Sequence, residues 1–236
     1  MIKIVSFKIC PFVQRVTAML EAKKVPYDIE YISLSDKPEW FLELSPTGQV
    51  PMLITEDGEA LFESDAIVEY LDEVTAPLVP GLTPEQRALD RAWSYQASKH
   101  YLVQCSAIQS VDRETLEERI TKLRKAFAKA EAQLGDGPYF NGADLGNPDL
   151  AWLPLLHRAE LVEAYSGYDL LAGFPKVKAW QKTLSATGLY SASVPEDFPE
   201  RFSDFYLSER SFLGRGANSS EPPRSAASPS VGSCCG

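Results

Sequence analysis

The sequence predicts an α/β domain followed by an all-helical domain. Three observations carry this expectation. Strand and helix periodicities alternate over residues 1–75, three prolines and a glycine interrupt the chain within residues 76–84, and the regular segments beyond have helical spacing.

Residues 2–6 are rich in Ile and Val and read as a strand, after which Phe12, Val16, Met19 and Leu20 recur with helical spacing through residues 11–24. Pro11 suits the first helical position, where its missing N–H costs nothing. Tyr27-Asp28-Ile29-Glu30-Tyr31-Ile32 alternates as a second strand, and residues 38–44 read as a short helix. Pro51-Met52-Leu53-Ile54 and Ala60-Leu61-Phe62 are two further strands, made antiparallel by the turn signal Glu56-Asp57-Gly58 between them. Ser64 is expected to cap a helix that runs to about Val74. The order β-α-β-α-β-β-α joins a parallel unit to a terminal hairpin, which is the thioredoxin-like arrangement.

Residues 1–76 are therefore taken as the first domain and 77–83 as a linker. An all-helical domain is expected over 84–210. It would hold a long helix over 84–110 and a second over 113–134 whose stripe Leu116, Ile120, Leu123, Phe127, Ala130 and Leu134 faces the core. The opposite face, with Glu117, Glu118, Lys122 and Lys125, is a solvated surface. A third, largely apolar helix follows from Asp149 to Leu161, and a fourth starts at Pro175. Residues 211–236 are expected to form a disordered tail. Six serines, three prolines and three glycines fall in 215–236, with Val231 the one large aliphatic residue there. Its end, Cys234-Cys235-Gly236, does not match a prenylation signal.

The formal net charge of −10 argues against nucleic acid or an anionic membrane as the main partner, since both call for clustered Lys and Arg. Residues 1–5 lack the features of a secretory signal, and no apolar run is long enough to span a bilayer, so a cytoplasmic, reducing compartment is expected. Four cysteines, Cys10, Cys105, Cys234 and Cys235, are too few and too scattered for a disulfide framework. With His100 and His157 far apart, no metal site is expected.

Cys10 stands where the first strand gives way to the first helix. The unpaired N–H groups of a helix's first turn favour negative charge, so a thiol there is poised as thiolate, the form that attacks disulfides and electrophiles. The competing reading is a small buried hydrophobe without chemistry. Val13 occupies the place where a dithiol protein carries its second cysteine, so Cys10 is expected to act as a monothiol released by a thiol from solution. Cys105 reads as a core cysteine, and as an internal resolver only if its helix packs onto the Cys10 turn.

Together with Asp36-Lys37-Pro38-Glu39-Trp40-Phe41, Ser45-Pro46-Thr47-Gly48-Gln49-Val50-Pro51 and Glu63-Ser64-Asp65-Ala66-Ile67, the Cys10-Pro11-Phe12 turn resembles the cytosolic glutathione transferases, closest to their cysteine-type omega class, over residues 1 to about 210. The resemblance implies glutathione as co-substrate, Cys10 as the catalytic residue, and a binding groove that includes Phe12. It implies a cis Val50-Pro51 bond with the cysteinyl backbone of glutathione paired to Val50; the alternative is a proline that merely starts an edge strand. Ser64 and its N–H would take the γ-glutamyl carboxylate and Glu63 the ammonium, while a plain helix cap would account for Ser64 alone. Lys37, placed at the opening of the short second helix where a cation opposes the helix dipole, would meet the glycyl carboxylate, or else is a solvated surface lysine. Gln49 and Trp40 would line the same groove.

In the second domain Gly146-Asn147-Pro148-Asp149 stands where the family carries a Ser-x-x-Asp helix start, with the serine replaced by Gly146 and its reciprocal cap partly lost. Trp93, Tyr101, Trp152 and Leu155 are candidates to wall the electrophile pocket, or else are core. The expected function is thiol exchange through Cys10, as in reduction of dehydroascorbate or removal of glutathione from protein thiols. The alternatives are conjugation of electrophiles or a non-catalytic binding role, and a homodimer is implied.

Overall fold

A computed structural model describes residues 1–216. Ile4, Val5 and Ser6 are buried on β1 (Ile2–Ser6), and a turn at Phe7–Cys10 leads into α1 (Pro11–Lys23). Then come β2 (Tyr27–Tyr31), α2 (Glu39–Leu44), β3 (Met52–Ile54), β4 (Ala60–Phe62) and α3 (Ser64–Val74). The sheet order is β2-β1-β3-β4: β1 runs parallel to β2, with Ile4 opposite Ile29, and antiparallel to β3, with Ile4 opposite Leu53. β3 and β4 form the expected antiparallel hairpin, Leu53 facing Leu61. α1 is buried on nearly every side, because it packs on α3 within the first domain and on helices of the second.

The second domain comprises α4 (Pro84–Ser98), α5 (Tyr101–Ile108), α6 (Arg113–Gln133), α7 (Asn147–Ser166), α8 (Pro175–Ala186), α9 (Leu189–Ala192) and α10 (Phe198–Tyr206). Thr83 and Gln86 cap α4 reciprocally, and the Asp112 carboxylate accepts the Thr115 N–H at 2.8 Å to open α6. The predicted stripe of α6 from Leu116 to Ala130 is buried. α7 lies at the centre against α4, α1 and α8, which accounts for its apolar character on all sides.

Four expectations change. The helix expected over 84–110 breaks at Lys99 and His100, where His100 Nδ1 meets the Gln96 carbonyl at 2.6 Å. The break re-aims the chain so that Tyr101 is fully buried, its hydroxyl on the Ala151 carbonyl. Ser64 is the first residue of α3 rather than its cap; Glu63 holds the cap position, with φ +67°. Lys37 stands before Pro38, the cap of α2, rather than within the first turn of that helix. Residues 211–216, assigned to the tail by composition, belong to the folded body. Phe212 and Leu213 are buried, the Phe212 N–H donates to the Ser110 carbonyl at 2.7 Å, and Arg215 donates to the Val111 carbonyl. The rest of the expected tail, with Cys234 and Cys235, lies outside the described residues.

The glycine at the start of α7 loses only half of the reciprocal cap. Asp149 Oδ2 still accepts the Gly146 N–H at 2.8 Å, while Oδ1 accepts from the Phe140 N–H at 2.9 Å and Trp180 Nε1 at 2.7 Å. Asn147 donates to Asp72 on α3 at 3.3 Å, which ties the helix start to the first domain.

Candidate active site

The turn from β1 to α1 is closed by the Cys10 N–H on the Phe7 carbonyl at 3.1 Å, and the Cys10 carbonyl accepts the Gln14 N–H, also at 3.1 Å. Cys10 is thus the cap residue of α1, with Pro11 at the first helical position as expected. Its side chain makes no capping bond to the helix, so the thiol is set in the positive end of the helix field without being spent as a cap. Cys10 is 2% exposed. Val13, one turn on, is buried. Cys105 is buried on α5, where the Tyr206 hydroxyl donates to its sulfur at 3.2 Å, the environment of a core cysteine.

Two residues beyond Cys10, Phe12 enters the wall of a cavity of about 150 Å³. Gln49, Val50, Pro51, Glu63 and Ser64 line the same cavity, so six of the eight site residues expected from sequence meet there. Thr47 and Leu102 complete it. Neither was named from sequence. Thr47 stood inside a quoted motif and was reachable, whereas Leu102 comes from α5 by tertiary folding alone and is half exposed. The Val50-Pro51 bond is cis. Val50 lies two residues before Met52, the first residue of β3, which pairs with both Val5 and Phe62, so Val50 stands outside the ladder pairs of the sheet. Glu63 holds its positive φ between β4 and α3, a conformation that costs an L residue about 1–3 kcal/mol and sets it beside the first N–H groups of a helix of eleven residues.

Lys37 and Trp40 do not line the cavity. The Lys37 ammonium lies over the turn that carries Gln49: a Cβ built on Gly48 would stand 3.9 Å from it. The proposed electrophile wall is not a wall. Tyr101, Trp152 and Leu155 are fully buried, and Trp93 packs on Phe140 at 5.0 Å, at one end of an aromatic cluster with Trp180 and Trp152. Aromatic residues at helical spacing formed core here. A larger cavity of about 670 Å³ lies under the linker, between α3 and α4, lined by Glu69, Asp72, Glu73 and Asp90 among others; its lining contains no thiol.

Beneath the Cys10 turn lies a buried polar network that sequence reading did not find. Arg158, on α7 and fully buried, donates to the Ile9 carbonyl at 3.0 Å, to the Pro154 carbonyl at 3.1 Å and to Gln14 Oε1 on α1. With its oxygen so engaged, Gln14 turns Nε2 toward His157 Nδ1 at 2.8 Å and toward Ser193 Oγ at 3.3 Å. Nδ1 therefore accepts, and His157 is neutral with its proton on Nε2. Burial, aided by the charge of Arg158, pushes the His157 pKa down to about 3. Arg15, also buried, pairs with Asp65, and Lys8 pairs with Asp197 at 2.8 Å. Burial lowers the Arg15 pKa from its ordinary value.

Comparison with known proteins bears on this geometry. A family model described as glutathione S-transferase, N-terminal domain, matches residues 9–74, and one described as glutathione S-transferase, C-terminal domain, matches residues 113–181. The chain is 31% identical over 213 residues to glutathione S-transferase omega-1 of Sus scrofa, covering 88% of this chain and 86% of that protein. It is 31% identical over 176 residues to a probable cytosolic glutathione S-transferase DHAR1 of Oryza sativa subsp. japonica, covering 74% and 79%. Among solved structures, glutathione transferase Omega 3C from Trametes versicolor superposes with a TM-score of 0.74 at 24% identity, covering 87% of this chain and 90% of that one, a likeness of fold.

Proposed function

Because the chain belongs to the glutathione S-transferase family, we propose that it is a cysteine-type, omega-like transferase that performs glutathione-dependent thiol exchange through Cys10. The observation that carries this reading is the cap position of Cys10, itself outside the cavity lining but two residues before Phe12, which builds the cavity with Val50, Pro51, Glu63 and Ser64. These groups suit the parts of glutathione. The backbone at Val50, before the cis proline, would pair with the cysteinyl unit, Ser64 and the start of α3 would take the γ-glutamyl carboxylate, Glu63 the ammonium, and Lys37, from across the Gly48 turn, the glycyl carboxylate. Gln49 would close the groove at its exposed side.

The chemistry follows from one thiol. Cys10 as thiolate attacks the glutathione sulfur of a mixed disulfide; the Cys10–sulfur bond forms, the original S–S bond breaks, and the substrate's sulfur leaves and takes a proton. A second thiolate attacks the glutathione sulfur on Cys10, forming oxidised glutathione and returning the Cys10 thiolate. For dehydroascorbate, the Cys10 thiolate and one glutathione thiolate supply two electrons and become joined as a mixed disulfide, the solvent supplies two protons, and a second glutathione thiolate then releases Cys10 as oxidised glutathione leaves. A tyrosine or serine hydroxyl could only activate glutathione for conjugation, and a cysteine that bonds to it favours exchange.

Intact mass after incubation with oxidised glutathione, on the wild type and Cys10→Ser, tests the reading. One glutathione on Cys10 is expected, with loss of activity toward dehydroascorbate and a mixed disulfide in the variant. A wild type that takes up none overturns thiol exchange, and an aryl-halide activity retained by Cys10→Ser would assign conjugation instead. The finer expectations are a homodimer, read by light scattering during gel filtration, and a cytoplasmic location, read by fractionation. Among the described residues no helix is long and apolar enough to cross a membrane.

A further inference from the structure

We propose that Arg158, from the second domain, is a positioning residue for Cys10: it clamps the Ile9–Cys10 turn from below and supplies the positive charge for which the Cys10 thiolate is the counterion. This deepens the reading of Cys10 as the reacting thiol and rests on it.

Three cations surround the turn. Lys8 has Asp197 as its carboxylate and Arg15 has Asp65. Arg158 has only neutral oxygens, those of Ile9, Pro154 and Gln14, and the face of the Phe198 ring 5.3 Å from the guanidinium carbon. Among the described residues no carboxylate comes within ion-pair distance of it, and its Nε makes no hydrogen bond. A fully buried cation is costly without an opposing charge. Among the other titratable groups on the helices packed around α1, Asp149 accepts from the Gly146 and Phe140 N–H groups and from Trp180, Glu160 from Ser185, Glu163 pairs with Lys178 and Asp72 with Lys23. His157 on α7 is neutral, and Tyr190 on α9 and Tyr101 on α5 are held above their ordinary values by burial, so both stay protonated at neutral pH. Asp65 and Glu69 on α3 are engaged by Arg15 and by Arg91. Glu63 lies across the cavity at an exposed position. The Ile9 carbonyl joins the clamp to the peptide that leads into Cys10.

The test is the pH dependence of Cys10 alkylation by iodoacetamide, followed by peptide mass at Cys10 so that the other cysteines do not contribute. Arg158→Met, which keeps length and removes charge, is expected to raise the midpoint by about one unit, and Arg158→Lys to restore most of that shift. A folded Arg158→Met protein with the wild-type midpoint overturns the proposal, even if its melting temperature falls. If these variants fail to fold, Gln14→Glu carries the test, since it keeps the side chain's shape and sets a carboxylate against the guanidinium. A raised midpoint supports the proposal and an unchanged one overturns it. Alkylation needs no turnover, so a Cys10 that proves not to exchange glutathione defeats the functional reading while the midpoints still judge Arg158.

Discussion

Acidification should cost this protein stability through His157. Its Nδ1 accepts a hydrogen bond from Gln14, its ring is stacked between Tyr190 at 4.6 Å and Phe198 at 5.2 Å, and the neighbouring Arg158 is cationic. Protonation would set a donor against a donor and force the Gln14 amide to turn its nitrogen toward the guanidinium. The folded-state value is about 3, against 6.5 for an ordinary histidine. A depressed value means that the unfolded chain takes up the proton first. The contribution is therefore complete above pH 6.5 and is lost as pH falls from there toward 3. At about pH 5 the gap to the unfolded value is about 1.5 units, a loss of about 2 kcal/mol at 1.36 kcal/mol per unit. Urea denaturation at pH 7 and pH 5 on the wild type and His157→Gln isolates this contribution, because every other group is common to both proteins. The variant should be less stable at pH 7, from lost stacking, yet lose about 2 kcal/mol less on acidification. Parallel losses in the two proteins would refute the neutral, accepting His157.

Asp149→Ala leaves the Gly146 and Phe140 N–H groups and Trp180 Nε1 without their acceptor. A loss of about 3 kcal/mol or more in urea denaturation is expected, with Asp149→Asn retaining part of it. Ser64→Ala should raise the KM for glutathione about tenfold with little change in kcat, the loss of one hydrogen bond to a charged group. Replacing both Phe212 and Leu213 with Ala, which removes two buried side chains, should cost at least about 3 kcal/mol, read by urea denaturation.

The four strands and α1 were legible because each is announced by local chemistry: alternation in Tyr27–Tyr31, the turn residues before Ala60, and Pro11 at the helix start. The cavity residues were legible because they lie in short contiguous motifs. What was not legible depends on partners far away in sequence. Gln14 and Arg158 are 144 residues apart, and in its own helix Arg158 is one charge in an apolar run. Leu102 lines the cavity only because the chain breaks before Tyr101, and no glycine or proline marks that break. Phe212 and Leu213 sit at the edge of a polar stretch whose average composition concealed them. Tyr101 and Trp152 show the reverse error: large rings suggest a pocket in a sequence and close one in a fold.

The burial of α1 on nearly all sides sets a rule for recombining this protein with its relatives. The linker at 77–83 looks like the natural crossover point, since the chain is irregular there. A chimera joined in the linker would set α1 of one parent against α7 and α9 of another, mismatching Gln14 with Arg158 and His157 and Thr17 with the Ser193 carbonyl that its hydroxyl meets at 2.6 Å. The unit of inheritance is the helix pair, not the domain. Exchanges that carry α1 and α7 from the same parent keep the contacts of Gln14 with Arg158 and His157 beneath the Cys10 turn intact, and the cavity rim, Leu102 included, can then be varied.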